Sequence, residues 1–179
     1  LNALTTALAR IPHLKRLRLH SRLPVVLPSR VDDALLEWLR GVRQPVVLVL
    51  HANHPREIDA GVRAALARLR GSGVTLLNQA VLLRGINDDP DTLCELSETL
   101  FEAGALPYYL HLLDRVRGTA HFDVPEDRAT GLVAAAAARL PGYLVPRLVR
   151  ECAGAPGKTP VTGPPAGVTQ VAEGRAAPL

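Results

Sequence analysis

The chain has 179 residues, 47% of them hydrophobic and 21% charged; this is a globular composition, sufficient for one full core or for part of a larger barrel, and it excludes a disordered chain. Basic and acidic residues number 21 and 17, leaving a net charge of +4 that is too small and too dispersed to require a nucleic-acid partner. No apolar run reaches the roughly 20 residues of a membrane span, no secretory signal pattern opens the chain, and two cysteines, Cys94 and Cys152, offer neither a disulfide framework nor metal-ligand spacing, so a cytoplasmic, reducing setting with no metal ligand is expected.

Residues 1–10 (LNALTTALAR) read as the end of a helix without a beginning. A strand is predicted at 15–21, then a helix over VDDALLEWLRGV (31–42) with Val31, Leu35, Leu36 and Leu39 on one face. PVVLVLH (45–51) is a continuous apolar run, the pattern of a parallel strand buried on both faces. A helix follows over residues 56–70 with Ile58, Val62, Leu66 and Leu69 on its inner stripe, then a strand at VTLLNQ (74–79). Asp89-Pro90 starts another helix, with Asp89 as N-cap, burying Leu93, Leu96, Leu100 and Phe101. LPYYLHLL (106–113) is a fourth strand, and residues 132–140 and 144–152 are read as further helices separated by Pro141-Gly142.

Strands and helices alternate at roughly 30 residues, the size of a βα unit, and no link between the strands is short enough for a hairpin. The fold class is therefore α/β: a partial (β/α) barrel of parallel strands with outer helices, a flat doubly wound sheet being the alternative. Four units are too few to close a barrel. The chain is expected to be the C-terminal piece of a longer enzyme, residues 1–152 forming the barrel part and 153–179 a Lys-bearing loop with an extended or disordered tail. Nine of the last 25 residues are Gly or Pro, which excludes a long helix there.

In a parallel barrel, function gathers at the C-terminal ends of the strands. Those ends read His20-Ser21-Arg22, then His51-Ala52-Asn53-His54, then Asn78-Gln79, then His111 with Asp114. Four polar finishes on one rim point to a ligand site. Neighbouring strand residues face opposite ways and no further ligand has suitable spacing, so His51-x-Asn53-His54 is read as gripping a polar cofactor through His51 or Asn53 rather than a metal. Asp114 is either a surface carboxylate paired with a neighbouring Arg or an anchor for a cationic substrate. Alternation sends one of Tyr108 and Tyr109 inward, where it packs or lies against a planar ring.

Of the 21 basic residues, 19 are Arg; the two lysines are Lys15 and Lys158. Arg cannot form a Schiff base, so a Lys kept on such a background can be there for its amine. Lys15 belongs to the basic patch Lys15-Arg16-Arg18 and needs no such role. Lys158 sits in Gly154-Ala155-Pro156-Gly157-Lys158-Thr159-Pro160, a small-residue loop that is not a P-loop, since Pro160 follows at once. It is read as a carrier of pyridoxal phosphate or as a solvent-facing loop lysine.

Five blocks, IPHLKRLRLHSRLPVVLPSRV, LHANHPREI, LLNQAVLLRGIND, PYYLHLLDRVRGTAHF and GYLVPRLVRECAGAPGKTPV, together resemble the lysine 2,3-aminomutase family of radical S-adenosylmethionine enzymes. YYLHLLDRVRGTAHF and RECAGAPGKTP look most like the branch that makes β-lysine for modification of elongation factor P. The resemblance implies conversion of (S)-α-lysine to (R)-β-lysine by a 1,2-amino migration. In that family S-adenosylmethionine is cleaved at a [4Fe-4S] cluster, and the substrate is held on pyridoxal phosphate. Residue by residue, the resemblance makes Lys158 the cofactor-carrying lysine and Asp114 the carboxylate on the substrate's distal ammonium. Glu151 matches a second acidic position where other members have Asp. Tyr108 matches an aromatic near the pyridoxal ring, His51 a contact to S-adenosylmethionine and Gln79 a cofactor-contacting amide. His111 stands where free-lysine members have Tyr.

The family's Cys-x3-Cys-x2-Cys motif is absent from the 179 residues. So are its glycine-rich strand end and its Arg-rich stretch beside the cluster, so all three are expected upstream. The chain alone is expected to bind no cluster, to be inactive and to be poorly stable through open strand edges. Two other readings stand beside the leading one: a free-lysine catabolic aminomutase, and a pyridoxal-phosphate-binding remnant without radical chemistry. A homo-oligomer is possible under any of the three.

Overall fold

The computed structural model describes residues 1–114 and 116–163. Its six strands lie side by side in chain order: β1 (Leu17–His20), β2 (Val46–Leu50), β3 (Thr75–Val81), β4 (Ala105–His111), β5 (Arg147–Arg150) and β6 (Thr159–Pro160). The first five are parallel to their neighbours, and β6 returns antiparallel to β5. The helices are α1 (Asn2–Ala9), α2 (Leu23–Val26), α3 (Asp33–Gly41), α4 (Ala60–Gly71), α5 (Pro90–Glu102) and α6 (Glu126–Ala137). Sequential parallel order with crossovers of one hand puts every connecting helix on the same side. The sheet is thus an open, barrel-like half with a helix-covered face and a concave face.

Local chemistry sets the helix starts. The carboxylates of Asp32, Asp59 and Asp89 each accept a backbone N–H of the first turn, from Leu35, Val62 and Thr92, all at 2.8 Å. The inner stripes then meet the sheet. Leu66, Leu69 and Leu100 from the helices are buried with Leu48, Leu50, Leu76, Leu110 and Leu148 from the strands in one cluster. Val49 and Val149 are equally buried but lie on the concave face, outside that cluster.

Several expectations need correction. Residues 144–152 do not form a helix: Gly142–Leu144 is a 3-10 turn and Arg147–Arg150 is the fifth strand. The i, i+4 spacing of Leu144, Leu148 and Cys152 imitates a helix, but Pro146 sits inside it, and proline disfavours the helix on both sides. A hairpin does occur, since residues 151–158 link β5 to its antiparallel partner. The helix expected from residue 56 starts at Ala60, because Pro55–Glu57 is a 3-10 turn and Asp59 caps after it. The helix expected at 132–140 runs over Glu126–Ala137. Phe101 is exposed, its ring tilted against Tyr143 at 5.6 Å, while Leu93, Leu96 and Leu100 are buried. Of the tail read as extended, residues 164–179 lie outside the described residues. No helix among the described residues is long and apolar enough to cross a membrane.

Candidate active site

Three asparagines fix the rim of the concave face. Asn78, fully buried on the helix-covered side, accepts the N–H of Ala52 (2.9 Å) and donates to its carbonyl (3.0 Å). Asn53 accepts the N–H of Val81 at 2.9 Å. Asn87 donates to the carbonyls of Asn53 (2.8 Å) and Val81 (2.9 Å) and accepts the N–H of Leu83. The side-chain oxygen of Asn53 is therefore committed to the backbone, while the buried Nε2 of His51 has no partner among the described residues. Glu57 accepts the N–H groups of Asn53 and His54 and closes the β2 loop.

A β-bulge changes what strand β4 presents. Pairing with β3 runs Asn78↔Pro107 and then Gln79↔Tyr109, so Tyr108 is the extra residue. Tyr108 and Tyr109 consequently do not alternate across the sheet as expected. Their rings lie 3.8 Å apart at 38°, with their hydroxyls 3.0 Å from one another. The hydrogen bond to Tyr109 holds the Tyr108 phenol above its usual pKa. Tyr109 also meets His111 edge-on at 5.8 Å.

Three buried polar atoms on this face have no hydrogen-bond partner among the described residues: His51 Nε2, Gln79 Oε1 and His111 Nε2. They come from the ends of β2, β3 and β4, and a buried polar atom without a partner costs free energy that a ligand can remove. His20 and His51 meet edge-on at 5.9 Å. The imidazoles of His20, His51 and His111 are all pushed below the usual pKa. Burial is the first cause in each case, with Lys158 a positive neighbour of all three. For His111, Glu151 and Asp114 pull the other way.

Lys158 turns inward. Its Nζ donates to Glu151 Oε1 and lies 5.6 Å from the centre of the Tyr109 ring. That ammonium holds the Glu151 carboxyl below the ordinary carboxylate range. Arg18, Tyr109, Glu151, Cys152 and Lys158 line a cleft of about 430 Å³. Glu151 also borders a second, acidic cleft of about 690 Å³ with Asp114, Asp123, Glu126 and Arg150. Among the described residues no arginine is in ion-pair contact with Asp114, whereas Arg150 pairs with Glu126 at 2.8 Å.

The structure thus brings Lys158, Glu151, Tyr108, Tyr109 and His111 together, with His51 and Gln79 on the same face and Asp114 across Glu151. Arg18 is the residue that sequence reasoning passed over, because it was absorbed into the patch with Lys15. Alternation on β1 was the available signal, since it puts Arg18 on the face of His20. The residues fit pyridoxal phosphate: an amine, an aromatic ring and a guanidinium share one cleft. The unpartnered atoms of His51 and Gln79 fit a polar nucleoside cofactor such as S-adenosylmethionine. A [4Fe-4S] cluster does not fit: Cys94 is buried with Ala136, Leu140 and Leu144, and Cys152 is exposed.

No family model matches the chain. It is 52% identical over 161 residues to an L-lysine 2,3-aminomutase of Escherichia coli, covering 90% of this chain and 47% of that protein. It is 50% identical to one of Haemophilus influenzae, covering 85% and 45%, and 39% identical to one of Clostridium subterminale, covering 86% and 37%. A crystal structure of a radical SAM methyltransferase from Sphaerobacter thermophilus overlaps 65% of this chain and 37% of its own, with a TM-score of 0.47 and 19% identity. The chain spans about half the length of the curated relatives it matches first. By sequence it is related to the lysine 2,3-aminomutase family along 90% of its own length.

Proposed function

We propose that the chain serves the conversion of (S)-α-lysine to (R)-β-lysine, as the part of a lysine 2,3-aminomutase that carries pyridoxal phosphate and receives the substrate's distal ammonium. One observation carries this reading: Lys158, Tyr109 and Arg18 share a cleft whose wall, Glu151, is also the wall of an acidic cleft containing Asp114. An amino acid with a second, distant amine fits two such neighbouring clefts, one with an amine-bearing lysine and one lined by carboxylates.

In this reading Lys158 would hold the cofactor between turnovers, and the Arg18 guanidinium would be available to its phosphate. Tyr109, braced by Tyr108, would offer an aromatic surface to its ring. Pyridoxal phosphate supplies a carbonyl for the migrating amine and a ring that delocalises an unpaired electron. Glu151 and Asp114 bind the distal ammonium and select for chain length. His51 and Gln79 offer their unpartnered atoms to S-adenosylmethionine.

No step is assigned to a cluster, because this chain does not hold its ligands. By itself the chain is expected to bind no iron and to show no turnover; iron analysis after anaerobic reconstitution tests this, and stoichiometric binding would overturn it. A second reading is a pyridoxal-phosphate-binding remnant without radical chemistry. The deciding experiment incubates the intact natural protein anaerobically with (S)-α-lysine, S-adenosylmethionine and a reductant. Formation of (R)-β-lysine is expected; unchanged lysine beside a normal cofactor spectrum would establish the remnant. The use of β-lysine on elongation factor P is supported by the YYLHLLDRVRGTAHF and RECAGAPGKTP blocks. Deleting the gene should abolish that modification in a cytoplasmic extract; a defect confined to growth on lysine would assign the catabolic role instead.

A further inference from the structure

We propose that Asn87 is a positioning residue for the nucleoside cofactor: its amide ties the end of β2 to the end of β3 and so sets the spacing of the backbone that carries His51 and Gln79. The inference rests on the reading of those two side chains as contacts to S-adenosylmethionine, and adds the group that holds them in place.

The backbone ladder between β2 and β3 ends at Leu50↔Asn78, immediately before His51 and Gln79. From there β3 stays with β4, pairing on to Val81↔His111, while β2 gives way to a loop. Strand ends without a ladder leave backbone N–H and C=O groups to be satisfied some other way, and here asparagine side chains take the ladder's place. Asn78 covers the N–H and carbonyl of Ala52. Asn53 lies two residues past His51, and Val81 two past Gln79. Asn53 Oδ1 accepts the Val81 N–H, and the Asn87 amide donates to both carbonyls, Asn53 at 2.8 Å and Val81 at 2.9 Å. Asn87 is fully buried and belongs to neither strand. The turn before α5 brings it back to them: its side chain accepts the N–H of Leu83 at 2.7 Å, and its own N–H meets the Leu83 carbonyl at 3.2 Å. Gly85 makes that turn with φ 73°, a conformation that favours glycine. Both donations of the amide thus leave the turn, one to each strand end. Only an amide can accept once and donate twice from one planar group of this size; an ionised carboxylate donates nothing and a hydroxyl donates once.

The test uses the intact natural protein, reconstituted anaerobically with its cofactors. Equilibrium dialysis reads the dissociation constant for S-adenosylmethionine, absorbance reads bound pyridoxal phosphate, and circular dichroism reads folding. Asn87→Asp keeps the size and the bond from Leu83 but loses the donations. It should weaken S-adenosylmethionine binding roughly tenfold, the loss of about one well-aligned hydrogen bond, and leave the pyridoxal phosphate band unchanged. Asn87→Ser removes the amide without adding a charge, should act alike, and carries the test if the Asp variant does not fold. Arg128→Ala is the control: it cuts the 3.0 Å bonds to Asp88 that tie the same turn to α6, and should leave binding unchanged. In a chain already carrying His51→Ala and Gln79→Ala, Asn87→Asp should add less than about twofold, because a residue that acts through those groups then has nothing to position. An unchanged constant in both Asn87 variants, a tenfold loss that persists in the doubly substituted chain, or an equal loss in Arg128→Ala would overturn the role of Asn87 alone. If His51→Ala with Gln79→Ala leaves S-adenosylmethionine binding as it was, the nucleoside site and this inference fall together.

Discussion

The two faces of the same sheet are built to opposite rules. Toward the helices the strands present Leu48, Leu50, Leu76, Leu110 and Leu148, all buried in one apolar cluster. The buried amide Asn78 on that side pairs through both its oxygen and its nitrogen with the backbone of Ala52. Toward the concave side the same strands present Arg18, His20, Gln79, Tyr109 and His111, and three buried polar atoms there have no partner among the described residues. The covered face is satisfied by the chain itself, while the open face carries groups that the described residues leave without a partner. Stability and recognition are thus separated across one backbone, and substitutions on the two faces should report separately.

The largest stability effect is expected on the covered face. Leu100→Ala removes a fully buried side chain of α5 and should cost about 3 kcal/mol by chemical denaturation, with cofactor binding in the surviving fold unchanged. If Leu100→Ala and Lys158→Ala lower stability alike, the separation of the faces fails. Asn78→Ala comes next. It leaves the N–H and carbonyl of Ala52 unpaired and should cost about 2 kcal/mol. Since Ala52 follows His51, it should also weaken binding at the rim, measured as a raised dissociation constant for S-adenosylmethionine, making it the one substitution that couples the faces.

Acidification sharpens the contrast with a smaller effect. The imidazoles of His20, His51 and His111 titrate below the usual 6.5 in the folded protein. The unfolded chain therefore takes up protons first, and stability is full above 6.5 and falls as pH drops through the depressed folded values. The groups facing these imidazoles are Arg18, Arg22, Lys158, Glu151 and Asp114. Replacing His20 with Phe should flatten the slope of stability against pH in that window; an unchanged slope would remove His20 from the account. The smallest effect is at the outer surface, where Glu102→Ala breaks a 3.3 Å pair with Arg63 and should change stability by about 0.5 kcal/mol or less.

Much of the covered face was legible in the chain. Apolar runs such as VVLVL (46–50) identify buried parallel strands, and Asp89 marks a helix start through its own carboxylate, whereas the cap at Asp32 shows only in the structure. Strand β5 was hidden because RLVR (147–150) carries only two apolar residues, while Leu144, Leu148 and Cys152 repeat at helical spacing. The open face was legible in residue type but not in arrangement. Lys158 stood out because Arg occupies nearly every other basic position. Tyr108 and Tyr109 could not be placed together, because a bulge depends on the partner strand and breaks the period of two. The meeting of Glu151 with Lys158 depends on the hairpin back to β6, which no local pattern announces. Arg18 was obscured by its basic neighbours, although its position two residues before His20 put both on one face.

The central claim is that the amine of Lys158, held over Tyr109 and against Glu151, is the group that carries pyridoxal phosphate. The direct measurement is the near-visible absorbance of the intact natural protein mixed with pyridoxal phosphate, for the unsubstituted chain and for Lys158→Ala. A protein-bound cofactor band that borohydride fixes covalently, and that disappears in Lys158→Ala, is the predicted result. The same fixed band in Lys158→Ala would contradict the account.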